Sequence, residues 1–146
     1  MTFQYRSHGQ ADVASYLMTG LPWVSSSTVP SGSVWRIQFP YVTNEITVRM
    51  ASPLGALTNI TSVGIGFTQN GVQSNKNMFI IQSNGTNYSE EIKVKIRTKE
   101  LYIVGLTGTS KVSVMAGLTL ISSSSFPVLT GSADTNAYQF GYDGLG

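Results

Sequence analysis

Cysteine is absent from these 146 residues, histidine occurs once, and only 11% of the side chains are charged. Without thiols there is no disulfide or thiolate chemistry, although secreted and cytosolic chains alike can lack them, so the compartment stays open. A single imidazole comes close to excluding a zinc site. Catalysis needs clustered ionisable groups, and a charged fraction far below the roughly 25% of an ordinary soluble domain leaves few to cluster. Long apolar runs are missing too. The longest, 78–81 and the interrupted 112–121, fall well short of the roughly 20 residues that span a bilayer, so no transmembrane segment is expected. The opening Met1-Thr2-Phe3-Gln4-Tyr5-Arg6 has neither the basic start nor the apolar core of a secretory signal, which points to a product made in the cell interior. Nine Lys and Arg against seven Asp and Glu give a net charge of +2, and the bases are scattered. A phosphate backbone calls for a concentrated basic patch, so no direct nucleic-acid site is expected.

What is present is alternation. In 33–39, Trp35, Ile37 and Phe39 share one parity and Arg36 and Gln38 the other. In 45–51, Ile46, Val48 and Met50 oppose Thr47 and Arg49, and in 91–97, Ile92, Val94 and Ile96 oppose Lys93, Lys95 and Arg97. A period of two places each set on one face of a half-buried strand. Further strands are predicted over 21–28, 61–67, 77–82, 101–106 and 111–121, the last with Val112, Val114, Ala116, Leu118 and Leu120 in phase. Asn70-Gly71 and Asn84-Gly85 carry turn chemistry, Pro30 and Pro40 end strands by withholding a donor, and Thr107-Gly108-Thr109 is a short connection. Apart from one helical turn near 11–18, no helical stripe occurs, which argues against a βαβ enzyme fold, whose crossovers require regular helices.

Eight short strands predict an all-β antiparallel sandwich, with the jelly roll as the eight-stranded member of that class and a closed up-and-down barrel as its competitor. The short link at 107–109 suits a hairpin, whereas the last two jelly-roll strands lie in opposite sheets. The chain then divides into an N-terminal arm (1–20), a β-sandwich (21–121) and a C-terminal arm (122–146). The arms are rich in small residues yet carry Phe3, Tyr5, Phe126, Tyr138, Phe140 and Tyr142, more aromatics than a solvated tail holds, and read as segments that dock on something, the same domain included.

Candidate chemistry is sparse. Ser7, His8 and Asp12 sketch a triad by nearness in sequence, but triads are defined by converging geometry. Glu90 and Glu91 are neighbours on opposite faces and suit pairing with cross-strand bases rather than proton sharing. Asp134 and Asp143 match no calcium-loop spacing, so neither metal nor cofactor is expected. Gly64-Ile65-Gly66 lies in a strand with no helix after it, which favours close packing or a bulge over anion binding. Three acceptor sequons stand at Asn59, Asn84 and Asn87, of a kind that arises by chance in a chain rich in Asn, Ser and Thr. Trp35 is in phase with the core, while Trp23, beside Pro22 in a loop-like stretch, and Tyr88 are left as a stacking surface for a ligand.

Low charge, a β domain, aromatic-bearing ends and no site chemistry describe a subunit covered by its neighbours, because interface cores lose charge and gain aromatics. In strand rhythm, size and composition the chain resembles viral single-jelly-roll capsid proteins, notably penton or minor capsid subunits of large icosahedral DNA viruses. The resemblance spans residues 21–121 and the arms and carries no short motif. It implies a non-enzymatic role in the virion, at a five-fold or pseudo-six-fold position, with copies of itself and other capsid proteins as partners. It further implies assembly by sandwich packing and arm exchange, the terminal arms tying neighbouring capsomers together, with arm contacts expected at Tyr138, Phe140 and Tyr142, and at Phe3 and Tyr5 secondarily. The alternatives are a carbohydrate- or receptor-binding sandwich, using polar loops between 68 and 90 with Trp23 or Tyr88, and, far behind, a hydrolase built on His8.

Overall fold

The computed structural model describes residues 20–51, 60–83, 89–130, 139–141 and 144–145. Their order is β1 (Leu21–Val29), β2 (Val34–Gln38), β3 (Tyr41–Ala51), β4 (Thr61–Gly66), a short helix α1 (Gln69–Gln73), β5 (Phe79–Ser83), β6 (Glu91–Val94), β7 (Glu100–Thr107), β8 (Ser110–Ser122), a 3-10 turn (Ser123–Ser125), β9 (Val128–Thr130) and β10 (Gln139–Gly141). All eight expected strands are present. The expected helical turn near 11–18 and the Asn84-Gly85 turn lie outside the described residues.

One sheet, A, has the order β1-β8-β3-β6 and the other, B, the order β2-β7-β4-β5. Strands 1 and 8, 2 and 7, 3 and 6, and 4 and 5 pair antiparallel, so every such pair sums to nine. That is one long antiparallel ribbon rolled until β8 meets β3 and β7 meets β4. The molecule is therefore an eight-stranded jelly roll, and the barrel is excluded by the two separate sheets. The short 107–109 link is compatible with it: Gly108, at φ +65, turns the chain from sheet B into sheet A within two residues.

The predicted inward sets meet between the sheets. Ile46, Val48, Met50, Val112, Val114, Ala116 and Leu118 come from sheet A, and Ile37, Phe39, Val63, Ile65, Ile81, Leu101 and Ile103 from sheet B. Burying each such side chain contributes about 1.5–3 kcal/mol before entropy is counted. Trp35 packs against this core from β2, as expected.

Three local readings change. Leu120 is exposed, while Thr119 and Ile121 turn inward. The β3·β8 register shifts between Tyr41 and Glu45, and Thr119 Oγ1 donates to the Val42 carbonyl at 2.7 Å and accepts from the Ile121 amide at 3.2 Å, which reverses parity after Leu118. Sheet pairing of β6 stops at Val94 rather than Arg97 because Thr43 takes over: its hydroxyl donates to the Ile96 carbonyl at 2.8 Å and accepts from the Thr98 amide at 3.1 Å. Asn70-Gly71 forms part of α1 and not a hairpin turn, since Thr68 caps the helix by accepting from the Gly71 amide at 3.0 Å and Val72 is buried beneath it.

Helix α1 and the segment after it cover the outer face of sheet B, where Val72 meets Tyr102 and Val104. The Gly64/Gly66 pair makes room: a Cβ on Gly64 would fall 2.3 Å from Met78 Sδ, and one on Gly66 2.6 Å from Val72 Cγ1. The packing reading of Gly64-Ile65-Gly66 therefore holds, but its premise that no helix follows does not, since α1 starts three residues later; a register shift in β4·β7 adjoins the pair at Ser62/Val63. The middle strands β4 and β7 of sheet B are thus buried on both faces, whereas the edge strand β5 and the outer face of sheet A stay largely exposed among the described residues.

Candidate assembly surface

Three features outside the core carry chemistry. The first is a polar cluster bridging β2 and β7. Arg36 donates to Glu100 Oε1 at 2.5 Å, Gln38 to the same oxygen at 3.4 Å, and the Tyr102 hydroxyl to Glu100 Oε2 at 3.0 Å, with the Arg36 guanidinium 5.9 Å above the Tyr102 ring. Its hydrogen bond to Glu100 raises the Arg36 guanidinium above its ordinary value. Partial burial pushes the Glu100 carboxyl up, but the bonds from Arg36, Tyr102 and Gln38 and the Arg36 charge outweigh it and hold the group below the usual carboxylate value. Burial, then the bond to Glu100, raises the Tyr102 phenol. Every oxygen of the carboxylate is engaged, which makes the cluster a clasp between strands.

Since folded Glu100 binds its proton less tightly than unfolded Glu100, its stabilisation is fully present above the unfolded value of about 4.3 and is lost as pH falls through the folded value. Glu100→Gln is expected to flatten the rise of stability with pH just below about 4.3 and to cost about 1 kcal/mol at neutral pH, a figure discounted for the half-exposed Arg36. Urea unfolding from pH 3 to pH 7 (roughly the window that spans the carboxylate range) reads both, and an unchanged slope would contradict the assignment.

The second feature is the edge of β5, where Phe79 and Ile80 are exposed beside an open groove of about 400 Å³. Glu90 closes the far part of this edge, its amide donating to the Gln82 carbonyl at 3.0 Å and its carboxylate accepting from the Gln82 amide at 2.7 Å. Glu90 thus seals a strand edge, and Glu91 faces a cross-strand base, Arg49, at 3.9 Å.

The third feature is the outer face of sheet A. Val24 and Met115 are direct cross-strand partners, 71% and 57% exposed, and Thr47 continues their row. Ser26 and Ser113 share a hydroxyl hydrogen bond of 3.0 Å in the next row. Charges are confined to the β3–β6 half, as Arg49–Glu91 and Lys93–Glu45 ion pairs, and to Lys111 at the corner of β8. Leu120 and Tyr41 extend the exposed apolar surface near the chain's bulge. Beside this half-face runs β1, nine residues without a charged side chain, which pairs among the described residues with β8 alone. Natural edges are usually blunted with charge, whereas this one is long, uncharged and adjoins exposed Val and Met.

Sequence reasoning missed Val24 and Met115, although Met115 sat at an outward position of β8 where a polar residue is the norm. Of the residues it chose, Trp23 lies in β1, not in a loop: half-buried, it points inward and stacks edge-on against Phe39, with centroids 4.9 Å apart at 76°. Phe140 lies on β10, in register with Leu129 of β9, and the two strands are parallel. Phe3, Tyr5, Tyr88, Tyr138 and Tyr142 fall outside the described residues, as do Ser7, His8, Asp12, Asp134, Asp143 and the Asn of each sequon. Among the described residues no helix is long and apolar enough to cross a membrane.

No family model matches the chain, and no curated protein matches it. One similar solved structure is a chain of the disulfide-linked pili of Bacillus endospore appendages, 14% identical over 82% of this chain and 99% of that chain, with a TM-score of 0.37. At that score the likeness carries no argument about this cysteine-free chain.

Proposed function

We propose that the chain is a structural, non-enzymatic capsid subunit, of the penton or minor-capsid kind, that assembles in a virion with copies of itself and with other capsid proteins. The observation supporting this reading is the charge-poor outer half-face of β1 and β8, with Lys111 at its corner and a β1 edge that pairs among the described residues with β8 alone, carried on an eight-stranded jelly roll. Apolar, charge-poor patches of this kind are the cores of protein–protein interfaces, and a stable one buries roughly 800 Å² per partner. A strand edge that among the described residues is paired on one side alone adds directional pairing to that burial. The carbohydrate-binding alternative loses part of its platform, because the Trp23 ring is turned toward Phe39.

Mass photometry across rising concentrations, on the purified chain and on the chain co-expressed with shell proteins, tests the reading. A discrete pentamer or trimer, or a defined complex with a shell protein, is expected. A monomer in both settings overturns it, and saccharide binding on a glycan array that disappears with Trp23→Ala puts the alternative in its place.

A further inference from the structure

The edge of β5 is half-filled in a way that defines what fills the rest. Successive residues of a strand turn their backbone groups to opposite sides, so groups two residues apart share an edge. The Gln82 amide donates to the Glu90 carboxylate at 2.7 Å, and the Gln82 carbonyl accepts from the Glu90 amide at 3.0 Å, both on the side away from β4. The amide and carbonyl of Ile80 therefore face that same side. Past Glu90 the chain crosses to sheet A, where Glu91 is in register with Arg49 of β3, and among the described residues the strand from Phe79 to Ile81 pairs with β4 alone. Glu90 thus starts a ladder that no described residue continues. The stretch beyond it is apolar and acidic together: exposed Phe79 and Ile80 share the groove of about 400 Å³ with Glu90 and Glu91, and no described basic residue lines it. The Glu91 carboxylate is half-exposed, and Arg49 at 3.9 Å is beyond hydrogen-bond distance, so it keeps acceptor capacity.

We propose that this groove docks an extended segment of another protein, one that carries apolar side chains together with lysine or arginine and adds to sheet B as a fifth strand opposite Ile80. The backbone groups at the edge fix the conformation of the occupant, because only an extended chain presents an amide and a carbonyl to Ile80 in the line that Glu90 begins. The acidic lining fixes its charge. The chain's own C-terminal end does not match, since no Lys or Arg follows Lys111. The site goes beyond the assembly reading and does not rest on it, for it lies on the sheet opposite the β1–β8 face.

Fluorescence anisotropy of a labelled peptide built of alternating valine and lysine, titrated with the full chain, tests the proposal. Saturable binding is expected, and its absence overturns the docking site. Phe79 is 59% exposed, so Phe79→Ala leaves the fold in place and should weaken binding about tenfold, as truncation of an interface anchor does. Glu91→Gln should weaken it about threefold, the scale of an exposed ion pair. Two further peptides give a reading independent of variant folding. The same peptide N-methylated at every amide keeps its side chains and charges but donates no backbone bond, and a valine–glutamate peptide keeps the backbone but reverses the charge. Both should bind at least about tenfold more weakly, and equal affinity of either overturns the proposal. Binding lost with Val24→Asp but kept with Phe79→Ala would put the peptide on β1, and tighter binding of a peptide of residues 1–10 would give the groove to the chain's own N-terminal end; each result refutes the site as proposed. Assembly read by mass photometry should be the same for Phe79→Ala as for the unaltered chain, so this site and the assembly reading can fail separately.

Discussion

Gly105→Ala is expected to be the most destabilising single change in the sandwich, lowering stability by about 3 kcal/mol or more, because a new methyl meets backbone that cannot step aside. Its Cβ would fall 2.2 Å from the Pro30 carbonyl oxygen and 2.7 Å from the carbonyl carbon. The clash sits where the chain crosses from sheet A to sheet B. Here the turn after β1 docks on β7: the Gly32 amide donates to the Gly105 carbonyl at 2.8 Å, the Gly105 amide to the Ser33 carbonyl at 3.0 Å, and the Ser31 hydroxyl to the Leu106 carbonyl at 2.9 Å. Moving Pro30 away breaks that set. With a urea slope of about 1–3 kcal/mol per molar, the midpoint should fall by about 1 M or more. Gly20→Ala, which meets nothing within 4 Å, should leave the midpoint in place and serves as the control. A midpoint for Gly105→Ala within about 0.3 M of the parent would refute the account.

The second large effect concerns association. Val24→Asp together with Met115→Asp places two carboxylates opposite one another on the charge-poor half of sheet A. Both positions are exposed, so each substitution should change folding stability by no more than about 0.5 kcal/mol. Burying the two charges unpaired in an interface is prohibitive, and assembly should fall by about a hundredfold or more. Arg49→Asp, on the ion-paired half, is the contrasting change and should have a much smaller effect. Equal loss from both would show that general charge, and not the β1–β8 face, governs association.

Much of this architecture could be read from side-chain order. Alternation placed the inner residues of β2, β3, β4 and β8 correctly as far as Leu118, because one face of each strand is buried and the pleat repeats every two residues. It failed where a side chain, not the pleat, sets the path. The Thr119 hydroxyl turns Leu120 outward, and the Thr43 hydroxyl ends the pairing of β6. The five residues of α1 are too few for a helical period to emerge, and Asn70-Gly71 is a strong hairpin signal in any sequence. Pro22 and the serines of β1 disguised Trp23 as a loop residue, although it alternates inward with Val29. The surface was partly legible. Met115 and the lack of charge along β1 are in the sequence, but that they adjoin follows from the pairing of strands some ninety positions apart, which no local pattern encodes.

The pairing of β1 with β8 has a further consequence for how the molecule comes into being. Leu21 waits for Leu118, so during synthesis β1 is made long before β8, its partner among the described residues, leaves the ribosome. The inner pair β4·β5 closes a short loop and can form early, whereas the outer pairs close progressively longer ones, a topology of high contact order whose folding belongs in the millisecond-to-second range of β-sandwiches. The uncharged first strand is therefore exposed twice, once on the nascent chain and again on the finished surface, and the residues that suit it to joining neighbours also make it the segment most in need of protection while the chain is incomplete.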